Sequence, residues 1–149
     1  MIHECTSPQQ PGWLELRQAF WPHDDDQVHL DEMTAFCAQP QRFGQFIAVS
    51  DDGAPQGFIE IALRADYVNG TNSSPVAFLE GIYVTPHARK LGVAKALVRT
   101  AEAWARERGC IEFASDAAVD NESSHAMHRA LGFAETERVV FFRKVLATN

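Results

Sequence analysis

The 149-residue sequence has few cysteines, no long apolar run and no recognisable leader segment. Its three cysteines, Cys5, Cys37 and Cys110, are an odd number at scattered spacings, which indicates neither a disulfide framework nor a metal site. Each is either an acyl-carrying nucleophile or a small buried residue, and the lack of a nearby histidine in a known pattern favours burial. The longest apolar stretches are strand-length, against roughly 20 residues for a membrane span, so we expect a cytoplasmic protein without a membrane partner.

The sequence also lacks a surplus of basic residues. Thirteen Lys and Arg against twenty Asp and Glu give a formal net charge of -7. Nucleic-acid binding requires a basic face, so we expect no nucleic-acid partner. The acidic balance is compatible with a cationic substrate attracted by a negative field, but solubility alone also explains it.

The hydrophobic pattern predicts a mixed α/β fold in a single domain over residues 1–149. The turn Asp51-Asp52-Gly53 predicts an early antiparallel hairpin, and the later part of the chain reads as a β-α-β unit. Helices are predicted at Trp13–Phe20, Val28–Cys37, Gly92–Arg108 and Asn121–Ala130. Strands are predicted at Ile2–Cys5, Phe43–Ser50, Gly57–Arg64, Val76–Val84 and Ile111–Ser115, and one or two further strands at Glu137–Val145.

The turn between the strongest strand and the longest helix is the most informative segment. The helix begins near Gly92, and its first N–H groups, which have no internal partner, would bind a diphosphate. Gly92 and Ala94 are small enough for close approach, and Arg89 supplies a positive charge. Gly81 inside the strand predicts a β-bulge. A plain strand–turn–helix without a ligand explains these residues equally well.

Two motifs here resemble the GNAT superfamily of acetyl-CoA-dependent N-acetyltransferases. Arg89-Lys-Leu-Gly-Val-Ala94 matches its R/Q-x-x-G-x-G/A motif, and Asn121 to Leu131-Gly132-Phe133 matches its Asn-led second helix. The resemblance implies acetyl-CoA as cosubstrate, without a metal. It also implies a central mixed, mostly antiparallel sheet that is splayed at the cofactor site and flanked by about four helices.

The same resemblance implies which residues bind the cofactor. The strand contacts the pantetheine arm, the turn holds the pyrophosphate, and Asn121 lies beside the arm. The implied residues are Ile82, Tyr83, Val84, Arg89, Lys90, Gly92, Val93, Ala94 and Asn121. One departure concerns His128, which stands where many members have a tyrosine that protonates the leaving thiolate. It is either an acid or a packed helix residue, and packing is favoured because a thiol of pKa about 8.5 needs little help near neutral pH.

A narrower resemblance, from Trp13 to Lys144, is to the aminoglycoside 6′-N-acetyltransferases. It rests on the strings Trp21-Pro22, Tyr67-Val-Asn-Gly70, Ser74-Pro75, Phe78-Leu-Glu-Gly-Ile82, Ala114-Ser-Asp116, His125 to Phe133 and Glu135-Thr-Glu-Arg-Val139. It implies acetylation of the 6′-amine of an aminoglycoside, antibiotic resistance and a homodimer. The residues that it implies around the drug are Trp21, His23, Asp24, Tyr67, Glu80, Asp116 and Glu137.

The residue types suit this chemistry. A sugar amine must lose a proton before it attacks a thioester, and a nearby carboxylate can accept that proton directly or through water. Asp116 lies just past a strand end, and Glu80 lies beside the expected bulge, so we expect one of them to be the base in a direct attack. The alternatives are an internal ion pair for Glu80 and a turn or cap role for Asp116.

The remaining implied contacts also have ordinary explanations. Trp21 and Tyr67 would give a sugar ring a flat face and a cation a π surface, but Trp21 suits core packing equally well. The Asp24–Asp26 run fits a solvated lead-in to a helix, and Glu137 fits an exposed strand end. Two other functions stay open, acetylation of another amine such as a polyamine or peptide, and a CoA-binding module without catalysis.

Overall fold

In the computed structural model, which describes residues 1–148, helices cover both faces of an open five-stranded sheet of order β1-β2-β3-β4-β5. The strands are β1 (Ile2–Glu4), β2 (Phe43–Val49), β3 (Pro55–Arg64), β4 (Val76–Val84) and β5 (Phe113–Ala114); the helices are α1 (Trp13–Phe20), α2 (Asp26–Cys37), α3 (Val93–Glu107) and α4 (Glu122–Ala130). The first four strands are antiparallel neighbours, and β5 is parallel to β4. The mixed α/β fold with four helices is therefore confirmed. None of the helices in the described range is long and apolar enough to cross a membrane.

The sheet carries a separate hydrophobic core on each face. Helix α3 buries the apolar stripe predicted from its sequence, which includes Leu97, Ala101 and Trp104, against Ile59 and Ile61 of β3. On the opposite face, α1 and α2 pack over the sheet through Trp13, Leu16, Met33, Ile47 and Phe58. Side chains of β3 alternate between the two cores, as the pleat of a strand requires.

Two helices begin directly after a residue whose side chain caps them. Asp25 caps α2, because its carboxylate accepts a hydrogen bond from the main-chain N–H of Val28 at 3.0 Å. The helix thus begins at Asp26, two residues before the predicted start. Asn121 caps α4 as predicted, and its side-chain oxygen accepts from the N–H of Ser124 at 3.2 Å.

The bulge predicted at Gly81 is present in β4. Glu60 of β3 pairs with Gly81, whereas Ile61 pairs with Leu79, so Glu80 is the extra residue. Leu79 and Ile82 consequently point into the same core although they are three residues apart. The bulge leaves Glu80 exposed in a strand whose neighbouring residues are buried.

A buried ion pair joins α1 to the sheet at this bulge. The guanidinium of Arg17 donates to both oxygens of Glu60 through Nη1, at 2.6 and 2.5 Å, and also pairs with Glu32 of α2. Trp13 adds a hydrogen bond from Nε1 to Glu60 Oε2 at 2.9 Å. Burial raises the pKa of the Glu60 carboxyl, and the charge of Arg17 and the bond from Trp13 oppose that rise.

The same guanidinium is linked to Trp21 through a buried histidine. Arg17 Nε donates to His29 Nδ1 at 3.2 Å, and the other ring nitrogen, Nε2, lies 3.2 Å from the main-chain oxygen of Trp21. Because Nδ1 is the acceptor, Nε2 carries the proton and donates it to that oxygen. Arg17 therefore fixes both the bulge and the chain at the end of α1.

The sheet opens beyond the first residues of β4. β5 pairs with β4 only at Ala77 and Phe78, so the second half of β4 has no strand on that side. This gap lies next to the bulge and leads toward the start of α3. The predicted splay is therefore present, although β5 is shorter than the predicted strand Ile111–Ser115.

The predicted C-terminal strand Glu137–Val145 is wrong in this structure. Residues 134–148 have no regular secondary structure and make no main-chain hydrogen bond to the rest of the described chain. A strand requires a neighbour that accepts its hydrogen bonds, and β5 contributes only two residues at that edge of the sheet. Large apolar side chains of the segment face solvent, including Phe141 and Phe142 at 81% and 92% exposure.

Removal of the Arg17 guanidinium should destabilise the fold strongly. Arg17→Met leaves Glu60 buried without a counter-ion, and we expect a loss of about 3–5 kcal/mol in the free energy of unfolding by urea titration. The double variant Arg17→Met/Glu60→Met removes both charges and should recover most of that loss. Arg106→Met, which breaks an exposed pair, should cost less than about 0.5 kcal/mol. A loss as small as that for Arg17→Met would contradict this account of the ion pair.

Candidate active site

A cavity of about 530 Å³ lies between α2, the end of α1 and the bulge. It is lined by Trp21, Asp24, Glu32, Phe36, Phe43, Glu60 and Glu80. Four of these residues are carboxylates and three are aromatic, and no Lys or Arg stands among them. Its volume is typical of a small-molecule site. Acidic groups beside aromatic faces suit a ligand that combines rings with positive charges.

Trp21 forms one wall of the cavity because the chain at Gly81 leaves space for its ring. A Cβ on Gly81 would lie 2.7 Å from Cη2 of Trp21 and 3.3 Å from the ring of Phe20. The indole also packs on Phe58, with ring centroids 5.8 Å apart, and the guanidinium of Arg17 lies 4.9 Å from its centroid. The half-buried Trp21 thus combines core packing with a surface that faces the cavity.

Glu80 is held in an ion pair, which is the alternative that the sequence left open for it. Arg64 Nη2 donates to Glu80 Oε1 at 2.9 Å, and the guanidinium also lies 3.6 Å from the centroid of Phe78. Both side chains are partly exposed, so the pair is screened by solvent and weak. Oε2 of Glu80 has no hydrogen-bond partner within residues 1–148.

Four of the predicted substrate residues lie outside the cavity lining. His23, Tyr67, Asp116 and Glu137 are all exposed, and Tyr67 has 75% of its surface accessible. Asp116 lies two residues after the end of β5, so it is just past a strand end, as predicted. Glu137 lies in the irregular C-terminal segment rather than on a strand.

Four lining residues were not predicted from the sequence: Glu32, Phe36, Phe43 and Glu60. Glu60 could have been identified from the sequence. It is a lone acid within the apolar run Phe58-Ile-Glu-Ile-Ala62, and such a buried carboxylate requires a cation. Glu32 and Phe36 left only a four-residue spacing on a helix, and that spacing does not identify which face borders a cavity.

The turn before α3 presents main-chain N–H groups to an open surface. The first helical hydrogen bond runs from the N–H of Ala96 to the oxygen of Gly92, so the three preceding N–H groups have no helical acceptor. Lys90 and Gly92 both have positive φ, 65° and 81°, which turns the chain tightly there. A Cβ on Gly92 would meet no atom within 4 Å, so the space before these groups is free. The arrangement suits a diphosphate.

The end of β4 and the first residues of α3 border the same opening. Ile82, Tyr83 and Val84 form the end of β4 beyond its last pairing with β5, and the oxygen of Val84 accepts from Arg89 Nε at 3.0 Å. Val93 and Ala94 are the first residues of α3. Asn121 lies farther along the chain and uses its side-chain oxygen to cap α4.

Both ring nitrogens of His128 are engaged within the protein. Nδ1 lies 2.7 Å from the main-chain oxygen of Ser124 and donates to it. Nε2 lies 2.7 Å from Oγ of Ser115, with which it forms a hydrogen bond, and the ring packs edge-on against Phe133. These contacts favour packing over acid catalysis for His128.

The cysteines have the character of packed residues. Burial raises the pKa of the thiols of Cys5, Cys37 and Cys110, so each favours its protonated form. A nucleophilic cysteine requires the opposite shift. Cys5 and Cys110 are buried and Cys37 is half-buried, which supports the burial interpretation.

Known proteins are similar to this chain in sequence and architecture. The sequence model of the acetyltransferase (GNAT) family matches residues 11–133. An aminoglycoside N(6′)-acetyltransferase type 1 of Acinetobacter genomosp. 13 is 57% identical over 132 residues, which cover 89% of each chain. The crystal structure of the aminoglycoside antibiotic 6′-N-acetyltransferase AAC(6′)-Ih from Acinetobacter baumannii is 48% identical and covers 99% of each chain with a TM-score of 0.93. AAC(6′)-Iy in complex with the bisubstrate analogue CoA-S-monomethyl-acetylneamine is 42% identical and covers 98% of each chain with a TM-score of 0.91.

A side chain at position 81 should disturb the cavity wall. Gly81→Ala places a methyl group against the indole of Trp21, and we expect a destabilisation of about 1–3 kcal/mol together with a changed near-ultraviolet circular dichroism spectrum. In the Trp21→Leu background, where the space is larger, the same substitution should cost clearly less. Equal costs in both backgrounds would show that Gly81 is needed for backbone geometry and not for the position of Trp21.

Proposed function

The chain belongs to the acetyltransferase (GNAT) family, and we propose that it transfers the acetyl group of acetyl-CoA to the 6′-amino group of aminoglycoside antibiotics. The observation that carries this proposal is the cavity at the β4 bulge, whose carboxylates and aromatic rings suit a polycationic sugar. The cavity lies beside the splayed edge of β4, where a donor thioester would approach. Relatives at 57% and 48% identity that are named for this reaction support the choice of substrate.

The donor site in this proposal is the end of β4 and the turn that follows it. Ile82, Tyr83 and Val84 would bind the pantetheine arm along the open edge of the strand. The turn residues Arg89, Lys90 and Gly92 would bind the pyrophosphate, together with the free N–H groups of Val93 and Ala94. Asn121 would lie beside the arm through the side-chain nitrogen that its cap bond leaves free.

The acceptor site in this proposal is the cavity and its rim. Trp21, Asp24 and Glu80 line the cavity, so they would contact the drug first. His23, Tyr67, Asp116 and Glu137 are exposed outside the lining, and in this proposal they would contact the drug from the rim. The net charge of -7 would attract the polycation to this region.

The reaction needs a proton acceptor and a stabilised oxyanion. Asp116 is exposed and has no hydrogen-bond partner in the described chain, so we propose that it takes the proton of the 6′-amine, directly or through water. Glu80, whose Oε1 is held by Arg64, would orient the same amine through Oε2. The amine then attacks the thioester carbonyl, whose developing charge is stabilised by a main-chain N–H near Ile82. CoA leaves without a covalent enzyme intermediate.

The same proposal includes the cellular location and the assembly state of the protein. The enzyme would act in the cytoplasm as a resistance determinant, because it would inactivate the drug before the drug reaches its target. It would also form a homodimer, since a second copy would cover the exposed apolar side chains of residues 134–148.

An acetylation panel tests the proposed function. CoA release is measured with kanamycin, tobramycin, spermidine and a lysine peptide, and the product is mapped by NMR. We expect turnover with the two aminoglycosides and a single acetyl group on the 6′-nitrogen. Preferred turnover of spermidine or the peptide would reject the proposed substrate, and CoA binding without turnover of any amine would indicate a non-catalytic module.

Neutral replacements should distinguish the roles of the Asp116 and Glu80 carboxylates. Asp116→Asn removes the proton acceptor, and kcat/KM should fall by about 10²–10⁴-fold, mainly through kcat. Glu80→Gln weakens the contact with the ammonium, and the KM for the drug should rise more than kcat falls. Asp120→Asn, an exposed acid four residues beyond Asp116, serves as control and should change neither constant. Unchanged kcat in Asp116→Asn would remove that residue from the mechanism.

The C-terminal segment should determine the assembly state. Light scattering of the purified protein should give twice the chain mass of 16.6 kDa. The double variant Phe141→Ser/Phe142→Ser removes the two most exposed rings and should shift the protein toward monomer, whereas Val28→Ser, an exposed apolar residue on α2, should not. A monomeric wild type would reject the dimer.

A further inference from the structure

The Arg17 cluster contains one cation between two carboxylates. Glu60 uses both of its oxygens on Arg17 and one of them also on Trp13, and it is 4% exposed. Glu32 contacts the same guanidinium through Oε2 only, and 46% of its side chain is exposed. The formal charge of the three groups is -1 at neutral pH. The uncompensated charge therefore belongs to the carboxylate that faces solvent.

The guanidinium itself is screened from the cavity. Arg17 is fully buried, and the rings of Trp21 and Phe36 lie 4.9 and 5.8 Å from its carbon Cζ. Glu32, by contrast, lines the cavity on the side of α2, together with Phe36 and Phe43, whose centroids are 5.0 Å apart. The guanidinium of Arg42 lies 5.0 Å from the centroid of Phe43 but is not among the lining residues. A ligand on this wall meets a fixed carboxylate beside two aromatic rings, and no Lys or Arg lines the cavity.

We propose that Glu32 is a specificity-determining residue that binds an ammonium group of the substrate other than the one that is acetylated. The wall formed by Glu32, Phe36 and Phe43 belongs to α2 and the start of β2, whereas the reacting amine is expected at Glu80 and Asp116, on β4 and just past β5. This inference rests on the proposed function and adds a second anchor to it. Because Arg17 holds Oε2, the carboxylate has a fixed position when the substrate arrives, and little side-chain entropy is lost on binding.

A comparison of amines with the same reacting group tests this assignment. Glu32→Gln keeps a hydrogen-bond acceptor for Arg17 and removes the charge, while Asp31→Asn, on the neighbouring residue of α2, makes the same change of net charge outside the cavity lining. The substrates are kanamycin, the two-ring neamine and the monoamine 6-amino-6-deoxyglucose. Loss of a charged hydrogen bond should raise the KM for kanamycin about 10-fold in Glu32→Gln, with kcat changed less than about twofold.

The monoamine distinguishes recognition from a general structural effect. Its kcat/KM should stay within about twofold of wild type in Glu32→Gln, since it has no second ammonium group to lose. Asp31→Asn should behave as wild type with all three amines. An unchanged KM for kanamycin, or an equal loss of kcat/KM with the monoamine, would overturn the assignment of Glu32.

Two further measurements keep the test decisive. If Glu32→Gln does not fold, Glu32→Asp replaces it, because this variant withdraws the carboxylate by one methylene. It should weaken the binding of kanamycin but not that of the monoamine. Equal effects on the binding of both would overturn the assignment. Calorimetric titration of kanamycin into wild type and variant gives the comparison without turnover. Absence of turnover in the wild type would reject the proposed function, whereas wild-type turnover with equal kanamycin affinity in the variant would reject only the role of Glu32.

Discussion

The ion pair between Arg17 and Glu60 determines how the acceptor side of this protein is built. A buried charged pair is stable only when the hydrogen-bonding groups of both side chains have partners. The guanidinium of Arg17 contacts Glu60 on the sheet and Glu32 and His29 on helix α2. His29 in turn contacts the carbonyl of Trp21. Glu60 is the residue that pairs with Gly81, where β4 bulges. The cavity wall and the strand that presents Glu80 are therefore positioned by one buried cation.

The bulge lies between the proposed acceptor site and the proposed donor site. On the side of α1 and α2, Gly81 admits the ring of Trp21, and the extra residue Glu80 turns outward beside the cavity. On the opposite edge, β4 loses its pairing with β5 after Phe78 and leads into the turn with free N–H groups at the start of α3. An acyl donor bound along the open strand and an amine bound in the cavity would thus meet at β4. Direct attack requires this proximity, and the raised pKa of the three cysteine thiols gives no support to a covalent alternative.

Local patterns predicted most of the fold, and the failures involve contacts between distant parts of the chain. The α3 stripe, the cap at Asn121 and the glycine at position 81 each depend on residues close in sequence, so periodicity and residue type sufficed. The strand Glu137–Val145 failed because apolar composition does not supply a pairing partner. Glu80 was recognised as a site candidate, but its bond to Arg64 depends on the register of β3 and β4. Glu32 and Phe36 were missed, because only the packing of α2 against the sheet shows which of its side chains reach the cavity.

The central claim is that the drug amine and the thioester meet at the bulge of β4, between the cavity and the turn before α3. A crystal structure of the protein with CoA and kanamycin tests this most directly. The account predicts the pyrophosphate at residues 89–94, the kanamycin rings against Trp21, and the 6′-nitrogen within hydrogen-bond distance of Asp116 or Glu80, facing the CoA sulfur. Kanamycin bound elsewhere, or a 6′-nitrogen turned away from both carboxylates and the sulfur, would contradict it.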